Sequence, residues 1–199
     1  MGMYLVMTTL GDDNIRRVLA DPPLIWSVVA PDKPELVGRE RKRPRGLLAR
    51  LLGRKPAPAD PFPLWLSDGE GKQMDLDKAW HGIHFLLTGT NFKGEFPLNF
   101  LVLGGEQVGR VEVGYGPARV FTSARVNEIA AALAPIDETS LRARFNPDEM
   151  MKLAIYPSIW DRDPVDDDTF AYCAEFFSEM KAFVADTASR GLGLVITVR

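Results

Sequence analysis

The chain has 199 residues, of which 46% are hydrophobic and 26% are charged, and its formal net charge is -3. This composition excludes a mostly disordered chain and a collagen-like repeat, and a single cysteine excludes an internal disulfide framework. No run of about 18 apolar residues is present to span a bilayer, and the first residues lack the basic stretch of a secretory signal. We therefore expect a cytoplasmic protein.

The basic charge is concentrated in one segment, residues 39–55, in which Glu40 is the only acidic residue. Its basic residues are Arg39, Arg41, Lys42, Arg43, Arg45, Arg50, Arg54 and Lys55. Without this segment the chain keeps 16 of its 24 basic and 26 of its 27 acidic residues, a body charge of about −10. An acidic body repels nucleic acid and anionic lipid, so binding to either is expected through 39–55 if at all.

The first third of the chain predicts a strand, a short helix and an insertion. Residues 3–10 are apolar on both faces, which is typical of a strand covered on both sides. Asp12 or Asp13 is expected to cap a short helix that ends at Pro22. Residues 24–30 fit a helix or a strand equally well.

Residues 31–73 are rich in Pro, Gly and charge and predict an insertion or a mobile segment within a single domain of residues 1–199. Inside this stretch, residues 45–55 place four leucines among basic residues, as in a helix that binds a surface. Eleven residues are short for an isolated helix, so we favour a solvated insert whose leucines pack on the body.

Residues 75–89 predict a helix with clear start and stop residues. Asp75 or Asp77 is expected to cap a helix that runs to about Leu87 and stops at Gly89. The helical spacing predicts a buried stripe of Leu76, Trp80, Ile83 and Leu87. Beside it lies an expected polar ledge of Asp77, His81, His84 and Thr88.

The second half of the chain predicts alternating strands and helices. Short strands are expected at 99–103, 111–113 and 118–121. Helices are expected to start at Thr122 or Ser123, at Asn146, and after a cap among residues 166–168. A buried strand over 192–198 follows. The fold class is therefore α+β, a single compact domain whose mixed sheet packs its N- and C-terminal strands against several helices.

Several segments resemble the YfbM-like family, a bacterial domain of unknown function. They are the helix segment 75–89, the opening Met1-Gly2-Met3, the turn Gly116-Pro117-Ala118-Arg119, Leu141-Arg142 with Phe145, Ile155-Tyr156-Pro157 and the C-terminal strand. The resemblance covers most of the chain apart from the basic insertion. It implies a cytosolic α+β fold, leaves the activity open, and favours His84 over His81 as the histidine to examine.

The motifs that carry familiar chemistry are missing or incomplete. His81, His84 and Asp77 are strung along one helix and cannot converge on a metal, so we expect no metal and no cofactor. Cys173 lies on the inward stripe of the last helix and is expected to be a core thiol. Neither a phosphate-binding glycine loop nor a nucleophile elbow is present.

Six residues would form one composite site if the fold brings them together: Trp80, His84, Tyr115, Arg119, Tyr156 and Trp160. They would form a pocket with aromatic walls, a guanidinium for an anion and a titratable imidazole. Such a pocket fits a small polar ligand or a peptide tail, although each residue taken alone is more simply a core or loop-anchoring group.

These observations favour a non-catalytic cytosolic protein that binds a protein partner or a small polar ligand, an immunity-type protein being one form. The alternative is a small hydrolase or transferase that uses His84 as its general acid or base. The two hypotheses differ in what they require of His84, which must face a cleft for catalysis.

Overall fold

The computed structural model describes residues 2–42, 64 and 66–199. The described strands form one sheet in the order β2-β1-β5-β4-β3, and every neighbouring pair is antiparallel. The strands are β1 (Leu5–Leu10), β2 (Gln73–Asp75), β3 (Glu106–Gly114), β4 (Gly116–Phe121) and β5 (Gly193–Val198). The first and last strands therefore pair with each other within the sheet.

Helices cover both faces of this sheet. They are α1 (Asp12–Ala20), a 3-10 turn (Pro22–Ile25), α2 (Trp26–Val29), α3 (Glu35–Lys42), α4 (Ala79–Thr88), α5 (Ser123–Leu133), α6 (Glu138–Arg142), α7 (Pro147–Lys152) and α8 (Thr169–Ser189). Ile196 of β5 packs in a cluster with α4, α5 and α8, whereas Val195 packs in a second cluster with α1 and α2. Because successive side chains of a strand point to opposite faces, a sheet covered on both sides needs continuous apolar strands.

The predicted α+β class is confirmed, and so are the best-capped helices. Asn146 accepts a hydrogen bond from the backbone N–H of Glu149 at the start of α7, at 3.1 Å. Asp168 does the same for Ala171 at the start of α8, at 2.9 Å. In both places the side-chain oxygen satisfies a backbone donor that the first turn of a helix leaves free.

The prediction of a mixed sheet is wrong, since the sheet is antiparallel throughout its described strands. The predicted strand over 99–103 is also wrong. This segment forms local turns in which the carbonyl of Asn99 accepts from the backbone N–H groups of Val102 and Leu103, at 3.0 and 2.9 Å. Phe100 and Leu101 are both buried in these turns. A short apolar run in the sequence looks the same whether it forms a buried strand or a buried turn.

The helix predicted from Asp75 or Asp77 starts later, at Ala79. Asp75 belongs to β2 and pairs with Val6, and its carboxylate accepts from the backbone N–H of Asp77 at 2.8 Å. Gly89 ends the helix in the left-handed region, as expected. The predicted polar ledge is wrong, because His81 and His84 lie in the core and are only 1% and 0% exposed.

The start of α1 also departs from expectation. Asp12 and Asp13 do not cap it; Glu70 instead accepts from the backbone N–H of Gly11 and from the side-chain amide of Asn14. Asp12 reaches across to α5 and accepts from both the backbone N–H and the hydroxyl of Ser123, at 2.8 and 2.7 Å. A carboxylate at a helix N-terminus is favoured by the helix dipole, so Asp12 joins the starts of two helices.

The predicted insertion, residues 31–73, is described only in part. Residues 35–42 form α3, and the side chain of Arg41 makes an ion pair with Asp21. The four leucines of the predicted amphipathic piece, and most of the basic segment 39–55, lie outside the described residues.

Candidate functional site

A pocket of about 400 Å³ opens at one end of the sheet, where β5 ends and the β3–β4 hairpin turns. It is lined by Met3, Trp80, Phe92, Leu101, Val102, Leu103, Tyr115, Gly116, Pro117, Arg119, Ile196 and Val198. The volume lies in the range of small-molecule sites, and most of the lining side chains are apolar. The pocket thus combines three predicted site residues, Trp80, Tyr115 and Arg119, with a largely hydrophobic wall.

Three large apolar side chains among the lining residues are exposed. The exposed fractions are 54% for Phe92, 38% for Leu103 and 62% for Tyr115. By contrast Leu101 and Ile196 are buried. A cluster of exposed apolar groups around a concave site is a feature of binding surfaces.

Arg119 anchors the turns that form one side of the pocket. Its Nη1 donates to the carbonyls of Phe100, Leu103 and Gly104, at 3.1, 2.7 and 2.9 Å. Its Nη2 donates to the carbonyl of Leu101 at 2.6 Å. Burial lowers the pKa of Arg119 to about 10, still well above neutral pH, so the side chain carries its positive charge. Arg119, which was expected to bind an anion, therefore holds the turns of residues 100–104 together.

Trp80 lines the pocket and also stacks on two residues that do not line it. Its indole stacks on the ring of His81, with centroids 4.9 Å apart, and on Tyr156 at 6.1 Å. Tyr156 does not line the pocket; its hydroxyl accepts from the backbone N–H of Met3 at 2.9 Å, and Met3 does line it. Tyr156 thus supports the wall from outside.

His81 is a structural link. Its Nδ1 accepts from the backbone N–H of Tyr156 at 3.0 Å, and its Nε2 lies 2.8 Å from the carbonyl of Asn91. An imidazole that accepts at Nδ1 and donates at Nε2 is neutral. Burial lowers the pKa of His81, opposed by the hydrogen bond to Asn91. Sequence reasoning placed this residue on a polar ledge beside the apolar stripe and missed its role.

His84 is enclosed in the core and does not line the pocket. Its Nε2 lies 3.3 Å from the hydroxyl of Thr88, and its Nδ1 has no hydrogen-bond partner among the described residues. Burial lowers the pKa of His84 to about 4; repulsion from His81, whenever that ring is protonated, and from Arg119 acts in the same direction, and the backbone of Lys93 opposes the shift. His84 is therefore neutral near pH 7 and has no exposed surface at which to meet a substrate.

Trp160 lies away from the pocket, on the other side of α4. Its indole N–H donates to the carbonyl of Ile155 at 2.7 Å, and its ring packs against Gly82. Gly82 is two positions from Trp80, about 200° round the helix, which separates the two indoles. The structure thus brings together Trp80, Tyr115 and Arg119, with Tyr156 behind them, and leaves His84 and Trp160 in the core.

Sequence reasoning missed Phe92 and the segment 101–103. Phe92 stands in a loop between Gly89 and Gly94, where a large apolar residue has no predicted element to bury it. This position in a loop was the sequence signal that could have identified Phe92. Residues 101–103 gave no such signal, because their apolar side chains were explained by the strand predicted over 99–103.

The described residues offer little other familiar chemistry. Cys173 is buried, as expected, and burial raises the pKa of its thiol to about 12. Within the described ranges, no group of three or more His, Cys, Asp and Glu side chains is placed to hold a metal ion. No helix described by the structure is both long and apolar enough to cross a membrane.

The fold and the pocket define an α+β protein whose antiparallel sheet, covered on both faces, has an apolar pocket at its end. Residues 1–197 match the family described as a domain of unknown function, DUF1877, and the chain belongs to this family.

A solved structure agrees with this assignment. The chain is similar to the crystal structure of YfbM from Escherichia coli, a protein of unknown function, with a TM-score of 0.63 and 16% sequence identity. The match covers 98% of this chain and 99% of that chain, and at this identity it shows the fold. The resemblance to the YfbM-like family is thereby confirmed. The comparison with curated proteins finds no match.

Proposed function

We propose that this protein is a non-catalytic binding protein whose ligand occupies the pocket between Trp80, Tyr115 and Arg119. The observation that carries the proposal is the exposure of Phe92, Leu103 and Tyr115 around a concave apolar site. Leaving such groups in water costs about 25 cal/mol per Å² of apolar surface, so an apolar ligand that covers them gains this free energy. A cytoplasmic location belongs to the same proposal.

The catalytic alternative needs His84 to meet a substrate. With no exposed surface and a pKa of about 4, the imidazole of His84 is poorly suited to take or give a proton near neutral pH. A binding function needs only the pocket, whereas catalysis also needs a histidine that reaches the substrate. Contact with nucleic acid or a membrane surface through the basic segment 39–55 stays a prediction.

The proposal is tested with N-phenyl-1-naphthylamine, an uncharged aromatic probe that fluoresces in apolar sites. We expect saturable binding to the wild-type protein. The double variant Phe92→Ser, Tyr115→Ser should weaken it about tenfold, because removing each aromatic ring from the site costs roughly 0.5–1 kcal/mol of binding free energy. Both side chains are more than half exposed, so the fold should tolerate the changes.

Val165→Ser is the matched control, because Val165 is 90% exposed and does not line the pocket. It should bind the probe as the wild type does. No saturable binding to the wild type, or equal loss of binding in Val165→Ser, would contradict the proposal.

A further inference from the structure

We propose that the ligand of this pocket carries a carboxylate, received by Arg119, next to an apolar body. This inference rests on the proposed binding function and names the chemical class of its ligand. It follows from three features of the site: the hydrogen bonds that Arg119 leaves unmade, the charge of the lining, and the shape of the apolar wall.

The guanidinium of Arg119 is only partly used by the protein. Its four hydrogen bonds to carbonyls all come from Nη1 and Nη2, and three of them share the two hydrogens of Nη1. Nε makes no hydrogen bond within the described part of the chain, and Nη2 donates only one of its two hydrogens there. A guanidinium that donates from Nε and one Nη together matches the two oxygens of a carboxylate.

The charge of the lining is one-sided. Among the described residues that line the pocket, Arg119 alone is charged. The ion pairs found in the described ranges do not include it. Four carbonyl dipoles stabilise the cation but do not neutralise it. An anion in a largely apolar pocket next to an uncompensated positive charge is attracted more strongly than in water.

The apolar wall determines what accompanies the carboxylate. Trp80, Leu101 and Ile196, each no more than 4% exposed, form the buried base of the apolar lining, and Phe92 and Tyr115, 54% and 62% exposed, offer ring faces. Aromatic groups pack well on such faces. A free aromatic acid and the C-terminal residue of a peptide share this chemistry, and the experiment separates them.

The experiment measures the binding of two matched pairs to the whole protein by calorimetry. The pairs are naphthalene-2-carboxylate with naphthalene-2-carboxamide, and N-acetyl-glycyl-phenylalanine with its C-terminal amide. We expect the carboxylate of at least one pair to bind about tenfold to a hundredfold more tightly than its neutral counterpart, the range of a charge-assisted hydrogen bond. The pair with the larger difference identifies the source of the carboxylate.

Two further measurements place the effect at Arg119. The Nε–H resonance of Arg119 should move downfield on titration with the better carboxylate and stay in place with its neutral partner. Arg119→Lys keeps the charge but loses the paired donors, and should reduce the preference for the carboxylate. Because this variant also removes hydrogen bonds to the carbonyls, the wild-type resonance provides a test that does not depend on its folding.

The outcomes separate the two proposals. If a neutral probe binds in the pocket and its carboxylate binds no more tightly, the preference for an anion is wrong and the binding function stands. If N-phenyl-1-naphthylamine and all four matched probes fail to bind, both proposals are wrong. A tighter carboxylate that leaves the Arg119 Nε–H resonance unmoved overturns the assignment to Arg119.

Discussion

The imidazole of His81 accepts a hydrogen bond from the backbone N–H of Tyr156, 75 positions away in the sequence. The other ring nitrogen of His81 meets the carbonyl of Asn91. One neutral side chain therefore fastens α4 to two loops, and Phe92 of the pocket stands next to one of them. Protonation of Nδ1 would remove the acceptor, so this link requires the neutral ring.

Acidification is expected to destabilise the fold. The pKa values of His81 and His84 are lowered on folding, so the unfolded chain binds more protons below its own histidine pKa of about 6.5. Stability contributed by the neutral rings is complete above that pH and is lost as the pH falls toward the folded values. Each extra proton gives a slope of up to about 1.4 kcal/mol per pH unit.

Urea unfolding at pH 7.5 and 5.5 measures this effect. The variant with His81→Gln and His84→Gln should show a smaller difference between the two pH values than the wild type. Titration of the two ring resonances in the wild type gives the same information if the variant does not fold. A free energy of unfolding that is equal or higher at pH 5.5 in the wild type would contradict the prediction.

Replacing Arg119 is expected to destabilise the protein as well as alter its pocket. Arg119→Gln leaves carbonyls of the 100–104 turns without their donor, and a buried polar group without a partner costs roughly 1–3 kcal/mol. Thermal unfolding measures the loss. Arg16→Gln is the control, since the side chain of Arg16 is 71% exposed, and its effect should stay below about 0.5 kcal/mol. Equal effects of the two changes would show that the hydrogen bonds to the carbonyls contribute little.

Gly82 is expected to be required for the packing of α4 against α8. A Cβ atom at this position would lie 2.7 Å from the sulfur of Cys173 and would also meet the ring of Trp160. Gly82→Ala should therefore destabilise the protein, since overpacking typically costs about 1–3 kcal/mol and exceeds the gain in helix propensity.

Gly38→Ala is the matched control, because a Cβ atom there meets no described residue within 4 Å and Gly38 lies in helix α3. It should leave the stability unchanged or raise it by up to about 1 kcal/mol. Urea unfolding compares the two variants. A Gly82→Ala protein as stable as Gly38→Ala would refute the close contact.

Asp12 is expected to contribute more to stability than its neighbour Asp13. Asp12→Ala removes the acceptor for two donors of Ser123, and losing a helix-end carboxylate of this kind typically costs about 1 kcal/mol. Asp13 is 87% exposed and makes an ion pair with Arg16, so Asp13→Ala should cost about 0.5 kcal/mol or less. The difference in the free energy of unfolding decides between them, and a larger effect at Asp13 would contradict the assignment.

Local signals in the sequence were enough to predict much of the fold. Asn146-Pro147 and the aspartates before α8 satisfy backbone donors within a few residues, so their roles can be inferred from neighbours in the chain. Glu70 and Asp12 perform similar roles at a distance. Glu70 acts 59 positions from Gly11, and Asp12 acts 111 positions from Ser123. No local pattern predicts such partners.

The same distinction explains the histidines. Position on a helical wheel places His81 and His84 at the edge of an apolar stripe, and an isolated helix would leave them partly in water. In the structure every residue from 79 to 87 is buried, because turns and loops cover the remaining face of α4. The sequence pattern of α4 could not show what other segments would contribute.

The pairing of β1 with β5 has a consequence for how the chain folds. The hydroxyl of Thr197 donates to the carbonyl of Val6, which lies 191 positions earlier, at 3.5 Å. Until β5 has been synthesised, β1 and β4 have no common neighbour, and the sheet remains two separate pieces with open edges. Contacts between such distant segments slow folding, since a long loop must close before they form. A ribosome-bound chain that stops before residue 193 should therefore stay sensitive to proteases.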